Sequence, residues 1–203
     1  MRHSIVALAV SLTTIAACNQ QPPAAVPAPA APSTQTDATA PKVSTEPEQP
    51  HQPERSPLVG KPAPDVEQEL LDGSHFSLKQ QKDKKVVILD FWATWCGPCV
   101  REMPLVAKVA DKYRDKDVAL YCVDQGEDAE TVRAFLDEKE LDVTVSLDSQ
   151  NEAGSAYGVE GIPTLVLIDK AGVVRSVHLG YRPDIAEKLK EELDAILAGK
   201  DSR

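Results

Sequence analysis

The most constraining feature of the sequence is a pair of cysteines, Cys96 and Cys99, placed between a buried strand and a helix. The apolar residues 86–89 predict the strand, and the stretch that begins at Cys96 carries apolar residues at helical spacing. Two cysteines separated only by Gly97 and Pro98 can close a tight disulfide that opens reversibly. The fold must therefore contain a strand that leads directly into a helix, with this pair at the junction.

The order of the two cysteines predicts their roles. At a helix N-terminus, free backbone N–H groups and the helix macrodipole favour an anion, which lowers the pKa of a thiol placed there. We expect Cys96 to lie exposed at that end and to attack a partner disulfide. Cys99 falls inside the first turn, where access is poorer, and is expected to resolve the mixed disulfide.

A zinc site is the alternative interpretation of the cysteine pair. Structural zinc sites take four ligands, and the other candidates in the folded region are Cys122, His75 and His178. These three form no second closely spaced pair. The pattern therefore favours redox chemistry, with no metal and no cofactor beyond the redox-active disulfide Cys96–Cys99.

Strands alternate with helices along the rest of the folded region. Apolar runs bounded by turn residues predict a hairpin before the cysteines, strands at 118–123 and 143–147, and a second hairpin at 165–179. Asp128 is placed to cap a helix, and Pro183 to open the last one. This order of elements predicts an α/β sandwich around a mixed sheet.

Two motifs resemble those of thioredoxin, namely its active-site motif and its cis-proline loop. They are Trp95-Cys96-Gly97-Pro98-Cys99 and Gly161-Ile162-Pro163-Thr164. Asp90 also matches the buried aspartate of thioredoxin, and Pro104 matches its helix-kinking proline. The resemblance implies a thioredoxin-like α/β fold, in which helices flank a mixed central sheet.

Two additions resemble a subgroup of that superfamily. A hairpin is added on the N-terminal side, and a helix-and-strand region is inserted centrally, between Asp124 and Gly158. Together with a membrane anchor, these additions resemble the membrane-tethered TlpA/ResA-like redoxins, and Glu102 matches a glutamate near the active site in that subgroup. The resemblance implies a thiol–disulfide oxidoreductase.

The residues that support the cysteines carry expectations of their own. A cis bond at Ile162-Pro163, rather than an ordinary trans proline, would expose a backbone edge where a partner's extended strand can pair. Asp90, if buried, would have a raised pKa and could exchange a proton with Cys99. The alternative for Asp90 is an exposed carboxylate at the strand end. Glu102 either tunes the thiols or complements the helix start.

Several neighbouring side chains are expected to be structural. Trp95 should shield the disulfide and meet partners, whereas Phe91 and Trp92 suit a core position. Cys122 lies in an apolar strand and is interpreted as a small buried hydrophobe. The acidic run at 127–130 is interpreted as a solvated helix start.

The N-terminus is typical of an export signal at residues 1–17. Arg2 is followed by an apolar run and small residues, and the run is shorter than the about 20 residues of a membrane span. The ending Ile15-Ala16-Ala17-Cys18 resembles the bacterial lipobox. That resemblance implies that Cys18 becomes a lipidated N-terminus; a soluble exported protein is the alternative.

Residues 18–57 are expected to form a tether. Beyond Cys18 the segment is rich in Pro, Ala, Gln, Thr and Ser and contains no Phe, Trp, Tyr, Leu or Ile. Such a segment cannot offset the entropy lost on ordering, and as a flexible coil it would span roughly 35 Å. Residues 58–203 would then form one thioredoxin-like domain.

The charge balance excludes some functions. The 32 acidic and 22 basic residues give a net charge of −10, which disfavours nucleic-acid binding and polybasic lipid docking. The leading hypothesis is an exported, membrane-tethered oxidoreductase that reduces client protein disulfides, for example of apocytochrome c or a periplasmic metallochaperone. It would receive electrons from a membrane donor and work as a monomer on the extracytoplasmic side, in the periplasm or at the cell surface.

Two alternatives belong to other functional classes. In a redoxin-type thiol peroxidase, Thr94 would suit its place two residues before Cys96, but the Pro and Arg arrangement expected around a peroxidatic cysteine is not evident. In a non-catalytic binding domain, a complete two-cysteine motif would not be expected. Peroxide consumption and insulin reduction separate these readings.

Overall fold

Seven strands, five α-helices and one short 3₁₀ helix (Arg114–Lys116) follow one another in residues 56–199, the part of the chain that the computed structural model describes. The predicted signal at 1–17, Cys18 and almost all of the predicted tether at 18–57 lie outside the described residues, as do the last four residues of the predicted domain. None of the helices within 56–199 is long and apolar enough to cross a lipid bilayer.

The N-terminal hairpin consists of β1 (Glu67–Glu69) and β2 (His75–Ser77), which pair antiparallel. Its turn is closed by Asp72, whose carboxylate accepts hydrogen bonds from the N–H and the hydroxyl of Ser74 at 2.9 and 2.6 Å. Gly73 follows with φ +82°, a conformation that favours glycine. The hairpin predicted from the turn residues is confirmed, and it leads into a short helix, α1 (Leu78–Gln81).

A mixed sheet of five strands forms the centre of the fold, in the order β5-β4-β3-β6-β7. Its strands are β3 (Val86–Trp92), β4 (Val118–Asp124), β5 (Val145–Leu147), β6 (Thr164–Ile168) and β7 (Val174–Leu179). β3 pairs parallel with β4 and antiparallel with β6. All seven residues of β3 are buried, because this strand is central and both of its faces are covered. That burial explains its continuous apolar sequence.

The helices complete the layers. They are α2 (Gly97–Lys112), α3 (Ala129–Lys139), α4 (Glu152–Ala156) and α5 (Ile185–Leu197). On one face of the sheet, Val86 and Ile88 pack with apolar residues of α2 and α5. On the other face, Leu89 and Phe91 pack with residues of the hairpin and α4. The alternation along β3 thus assigns every second residue to the α2 face.

Most predicted elements are confirmed, with shifted boundaries. Asp128 caps α3, since its carboxylate accepts the N–H of Thr131 at 2.8 Å. The last helix begins at Ile185 rather than at Pro183, because Pro183 lies in a turn that Arg182 and Asp184 close with two side-chain hydrogen bonds. The inserted region between β4 and β6 contains α3, β5 and α4.

Candidate active site

The two cysteines of the motif form a disulfide where β3 passes into α2. Their Cα atoms lie 5.3 Å apart. Cys96 is the N-cap of α2, and its Sγ accepts a hydrogen bond from the backbone N–H of Cys99 at 3.2 Å. Pro98 occupies the first turn, where an N–H would have no helical partner. The site therefore offers a backbone donor and the positive end of a helix to a thiolate at Cys96.

The expected exposure of Cys96 is wrong for the oxidised protein. Cys96 is 5% exposed and Cys99 is 1% exposed. Cys96 is covered because it packs in one cluster with Trp92, Met103 and the half-buried Ile162. Cys96 is the more exposed of the two cysteines, as expected, but only a small part of its surface is accessible to solvent. Trp95, exposed by 70%, directly precedes Cys96.

The loop before β6 contains the predicted cis peptide bond, between Ile162 and Pro163. Thr164 closes this loop by donating its hydroxyl to the carbonyl oxygen of Gly161 at 2.7 Å. Thr164 also pairs with Phe91 in β3. The sheet thus brings the cis-proline loop to the end of β3 from which the cysteines emerge, although it lies more than 60 residues further along the chain.

Asp90 is buried, and the alternative of an exposed strand-end carboxylate is wrong. It is 2% exposed and lies on the α2 face, between Cys122 and Leu165 on the neighbouring strands. Its Oδ1 has no hydrogen-bond partner among the described residues. Burial raises the pKa of Asp90 well above its usual range, and the nearby charge of Glu102 adds to the rise.

Glu102 is also buried, and it holds a distant segment. Its carboxylate accepts a hydrogen bond from the backbone N–H of Arg182 at 2.9 Å. Burial raises the pKa of Glu102, while that hydrogen bond and the charges of His178 and Arg182 oppose the rise. Both predicted roles left out this anchoring of the segment after β7, which no local pattern indicates.

Cys122 is buried, as predicted, and is the free thiol of the described region. It lies beside Asp90 in the β3–β4 ladder. Burial and the charge of Asp90 raise its pKa well above the usual value. Cys122 therefore stays protonated and inaccessible. Phe91 and Trp92 are fully buried as expected.

The acidic run after β4 was expected to be solvated, but its first residue supports the active-site loop. Glu127 accepts hydrogen bonds from the N–H and the hydroxyl of Thr94 at 2.6 and 2.5 Å. The N–H of Glu127 in turn donates to buried Asp124 at 2.9 Å. The pKa of Asp124 is raised to about 7, chiefly by burial. The sequence did offer a signal for this support: Glu127 is an acidic residue three positions after β4, and β4 is the neighbour of the strand that leads to the cysteines.

Comparisons with known proteins agree with this geometry. The Redoxin family model matches residues 58–197. The chain is 36% identical over 137 residues to the thioredoxin-like protein YneN of Bacillus subtilis, covering 66% of this chain and 79% of the relative. It is also 36% identical over 139 residues to the thiol-disulfide oxidoreductase ResA of Bacillus anthracis, covering 68% of this chain and 76% of the relative.

Solved structures show the same fold. One, described as a DsbE-type thiol:disulfide interchange protein of Chlorobium tepidum, has a TM-score of 0.63 and 34% identity, covering 68% of this chain and 97% of its own. The structure of StoA of Bacillus subtilis matches with a TM-score of 0.56 and 26% identity. The match covers 68% of this chain and 99% of StoA. The predicted thioredoxin-like fold is confirmed, and the Cys96–Cys99 pair makes the chain a thiol–disulfide oxidoreductase. The chain belongs to the Redoxin family, as a ResA-like member of the thioredoxin superfamily.

Proposed function

We propose that this protein is an exported, membrane-tethered reductant of client protein disulfides. The observation that carries the proposal is the position of the Cys96–Cys99 disulfide at the N-terminus of α2. Its more accessible sulfur there receives a backbone N–H and lies next to exposed Trp95. A thiolate at Cys96 is stabilised by that donor and by the helix end, which is what an attacking thiol requires.

The reaction proceeds in two exchanges. The Cys96 thiolate attacks one sulfur of the client disulfide, forms a mixed disulfide and expels the other client sulfur as a thiolate. The Cys99 thiolate then attacks the Cys96 sulfur, which releases the second client thiol and leaves the Cys96–Cys99 disulfide. The client gains two electrons and two protons, and the protein dithiol loses them.

Buried Asp90 supplies a base for the second exchange. It lies on the sheet face that α2 covers, and burial raises its pKa well above the usual range, so that its carboxylate, once ionised, is a stronger base than an exposed one. In this proposal it takes the proton of Cys99 as that thiol becomes a nucleophile. Gly97 and Pro98 belong to the motif of reducing members of the superfamily, which favours reduction over oxidation as the direction.

The location follows from the N-terminal sequence. An export signal at 1–17 and a lipid on Cys18 would place the domain outside the cytoplasm, at the end of the segment 18–57. Clients there include the cysteines of apocytochrome c or of a metallochaperone. Electrons must then come from a membrane donor, since the disulfide formed in each cycle has to be reduced again.

Insulin reduction tests the activity. The purified, pre-reduced protein should precipitate insulin B chain, and Cys96→Ala should abolish this. Cys99→Ala should instead accumulate mixed disulfides with clients, because the resolving thiol is missing. Equal trapping by both variants would contradict the assigned roles, and peroxide consumption without insulin reduction would point to a thiol peroxidase.

A further inference from the structure

Three large apolar side chains of residues 56–199 are exposed, and they lie on segments that adjoin the cysteines or the cis-proline loop. They are Trp95, Leu179 and Tyr181, exposed by 70%, 54% and 41%. Leu179 pairs in the β6–β7 ladder with Thr164, the first residue after the cis-proline. Apolar side chains that gather at one place on a surface mark a contact with another molecule. Two of the three lie on a segment that the sequence motifs did not single out.

That segment is fixed to the active site by two backbone hydrogen bonds. The N–H of Gly180 donates to the carbonyl oxygen of Pro163 at 2.8 Å. The N–H of Arg182 donates to the buried carboxylate of Glu102 at 2.9 Å. Tyr181 lies between these two anchors. The cis-proline loop and α2, the helix that begins at the disulfide, therefore hold it in place.

Arg101 completes this surface with a positive charge. Its guanidinium carbon lies 5.2 Å from the centre of the Tyr181 ring, and one of its nitrogens lies 3.8 Å from the position that a Cβ on Gly97 would occupy. Gly97 separates the two cysteines. Arg101 is exposed and has no carboxylate partner among the described residues. Arg101 thus places a positive charge next to the residue between the two cysteines, in a chain of net charge −10.

We infer that Arg101, Tyr181 and Leu179 form a client-selecting surface for an extended segment that carries a carboxylate and an apolar side chain close to its reactive cysteine. The Tyr181 ring attracts the guanidinium to this place, where it can meet a carboxylate as the client sulfur reaches Cys96. Leu179 offers the apolar contact. The inference rests on the proposed function and names the class of client that the same site prefers.

A competing role for Arg101 would be to stabilise the Cys96 thiolate alone. In that case the arginine would speed the attack on every disulfide by the same factor, whatever residues flank the client cysteine. The ratio of rates between two clients that differ only in charge separates the two roles, because a general change in thiol reactivity cancels in that ratio.

The experiment uses the pre-reduced protein and short synthetic peptides. Each peptide carries one cysteine joined in a disulfide to 2-mercaptoethanol, which is uncharged. The residue next to the cysteine is Asp, Asn or Lys, tested on either side, with Leu or Ser one position further. Reduction yields the peptide thiol, 2-mercaptoethanol and the Cys96–Cys99 disulfide, and acid quenching with chromatography gives the second-order rate constant.

We expect the Asp peptide to react about two- to fivefold faster than the Asn peptide, the range typical of one exposed ion pair, and the Lys peptide to react more slowly. Salt should reduce the preference. Arg101→Gln should bring the three rates together, and Arg101→Glu should reverse their order. Leu179→Ser should remove any advantage of the Leu peptides over the Ser peptides.

Arg114→Gln is the matched control. Arg114 is an exposed arginine that follows α2 and precedes β4, at the opposite end of the strands from the disulfide. The Arg114→Gln substitution removes the same charge as Arg101→Gln and should preserve the preference for the Asp peptide.

Equal rates for Asp and Lys peptides with the parent protein, or an unchanged ratio in Arg101→Glu, would overturn the inference. A parent protein that reduces neither the peptides nor insulin would instead overturn the proposed function, and the inference with it.

Discussion

At the scale of single residues, Asp90 combines full burial with an unpartnered oxygen on the strand that leads into the active site. Its raised pKa makes it a proton acceptor that costs stability once it ionises. We expect Asp90→Asn to slow the decay of the mixed disulfide, because Cys99 loses its base, while the Cys96–Cys99 disulfide still forms. Stopped-flow decay of a client–Cys96 mixed disulfide between acidic and alkaline pH measures this. Glu102→Gln, which removes a charge but retains an acceptor for Arg182, should change the profile less.

Asp90→Asn should also change the stability of the protein. The pKa of Asp90 is raised in the folded state, so ionisation as the pH increases favours the unfolded state. Asp90→Asn should therefore unfold less readily than the parent at pH 8, by on the order of 1–3 kcal/mol. The difference should shrink as the pH falls towards about 4, where the unfolded carboxyl is also protonated. Urea unfolding of the oxidised proteins at both pH values would show it, and a constant difference would contradict the burial argument.

A further prediction concerns Cys122, which is fully buried and lies beside Asp90. Cys122→Ala should leave insulin reduction nearly unchanged and cost about 1 kcal/mol of unfolding free energy for the small cavity. Cys122→Ser should cost more, about 1–3 kcal/mol, because its hydroxyl would be buried without a partner. A large loss of activity in folded Cys122→Ala would show that this thiol takes part in the exchange.

The site residues that the sequence predicted are those with a local pattern. Cys96, Cys99 and Pro163 lie in short motifs, and Asp90 follows an apolar run. The burial of Cys96 could not be predicted in this way, because Cys96 belongs to an apolar cluster together with residues that are distant in sequence, such as Ile162. The same is true of the hydrogen bond between Glu102 and Arg182, which joins residues 80 positions apart.

At the scale of elements, the strands and long helices were predictable because burial on both faces leaves a continuous apolar run, whereas burial on one face leaves a periodic pattern. The short helices α1 and α4 were missed. Four or five residues are too few to show a helical period. The start of α4 depends instead on Asp148, which accepts the N–H groups of Glu152, Ala153 and Gly154. Asp148 directly follows β5, so this contact joins α4 to the end of that strand.

The junction between β4 and α3 should make the stability of the protein depend on pH. Asp124 is buried at the end of β4, and its pKa of about 7 lies far above the about 3.9 of an unfolded chain. Below about pH 4 the carboxyl is protonated in both states. Between about pH 4 and pH 7 it ionises in the unfolded state first, so the folded state loses stability as the pH rises, and the loss levels off above about pH 7.

Asp124→Asn should flatten this decline and be more stable than the parent at pH 8, by up to about 4 kcal/mol. Its amide oxygen can still accept the N–H of Glu127. Thermal or urea unfolding from pH 4 to pH 8 gives the curves, and Asp142→Asn, at an exposed position, is the control. Parallel curves for parent and Asp124→Asn would contradict the assignment.

At the scale of the whole molecule, the proposal joins a folded oxidoreductase domain to an anchor that the sequence alone predicts. The cysteines, the cis-proline loop and Asp90 all lie within 56–199, so the segment proposed as an anchor supplies none of these site residues. Anchoring and catalysis should therefore be separable. Two or more acyl chains hold a protein stably on a membrane, whereas one binds only marginally.

We therefore expect Cys18→Ser to release the protein from the membrane fraction while leaving insulin reduction by the purified protein unchanged. The small residues before Cys18 place it where the lipobox cysteine stands, and serine cannot receive the thioether-linked lipid. Fractionation with an antibody against the domain measures release, and mass spectrometry of the parent N-terminus measures the lipid. Cys122→Ser controls for the loss of a thiol and should stay in the membrane fraction. An unmodified Cys18 in membrane-bound parent protein would refute the lipid anchor, and the oxidoreductase site would stand independently of that result.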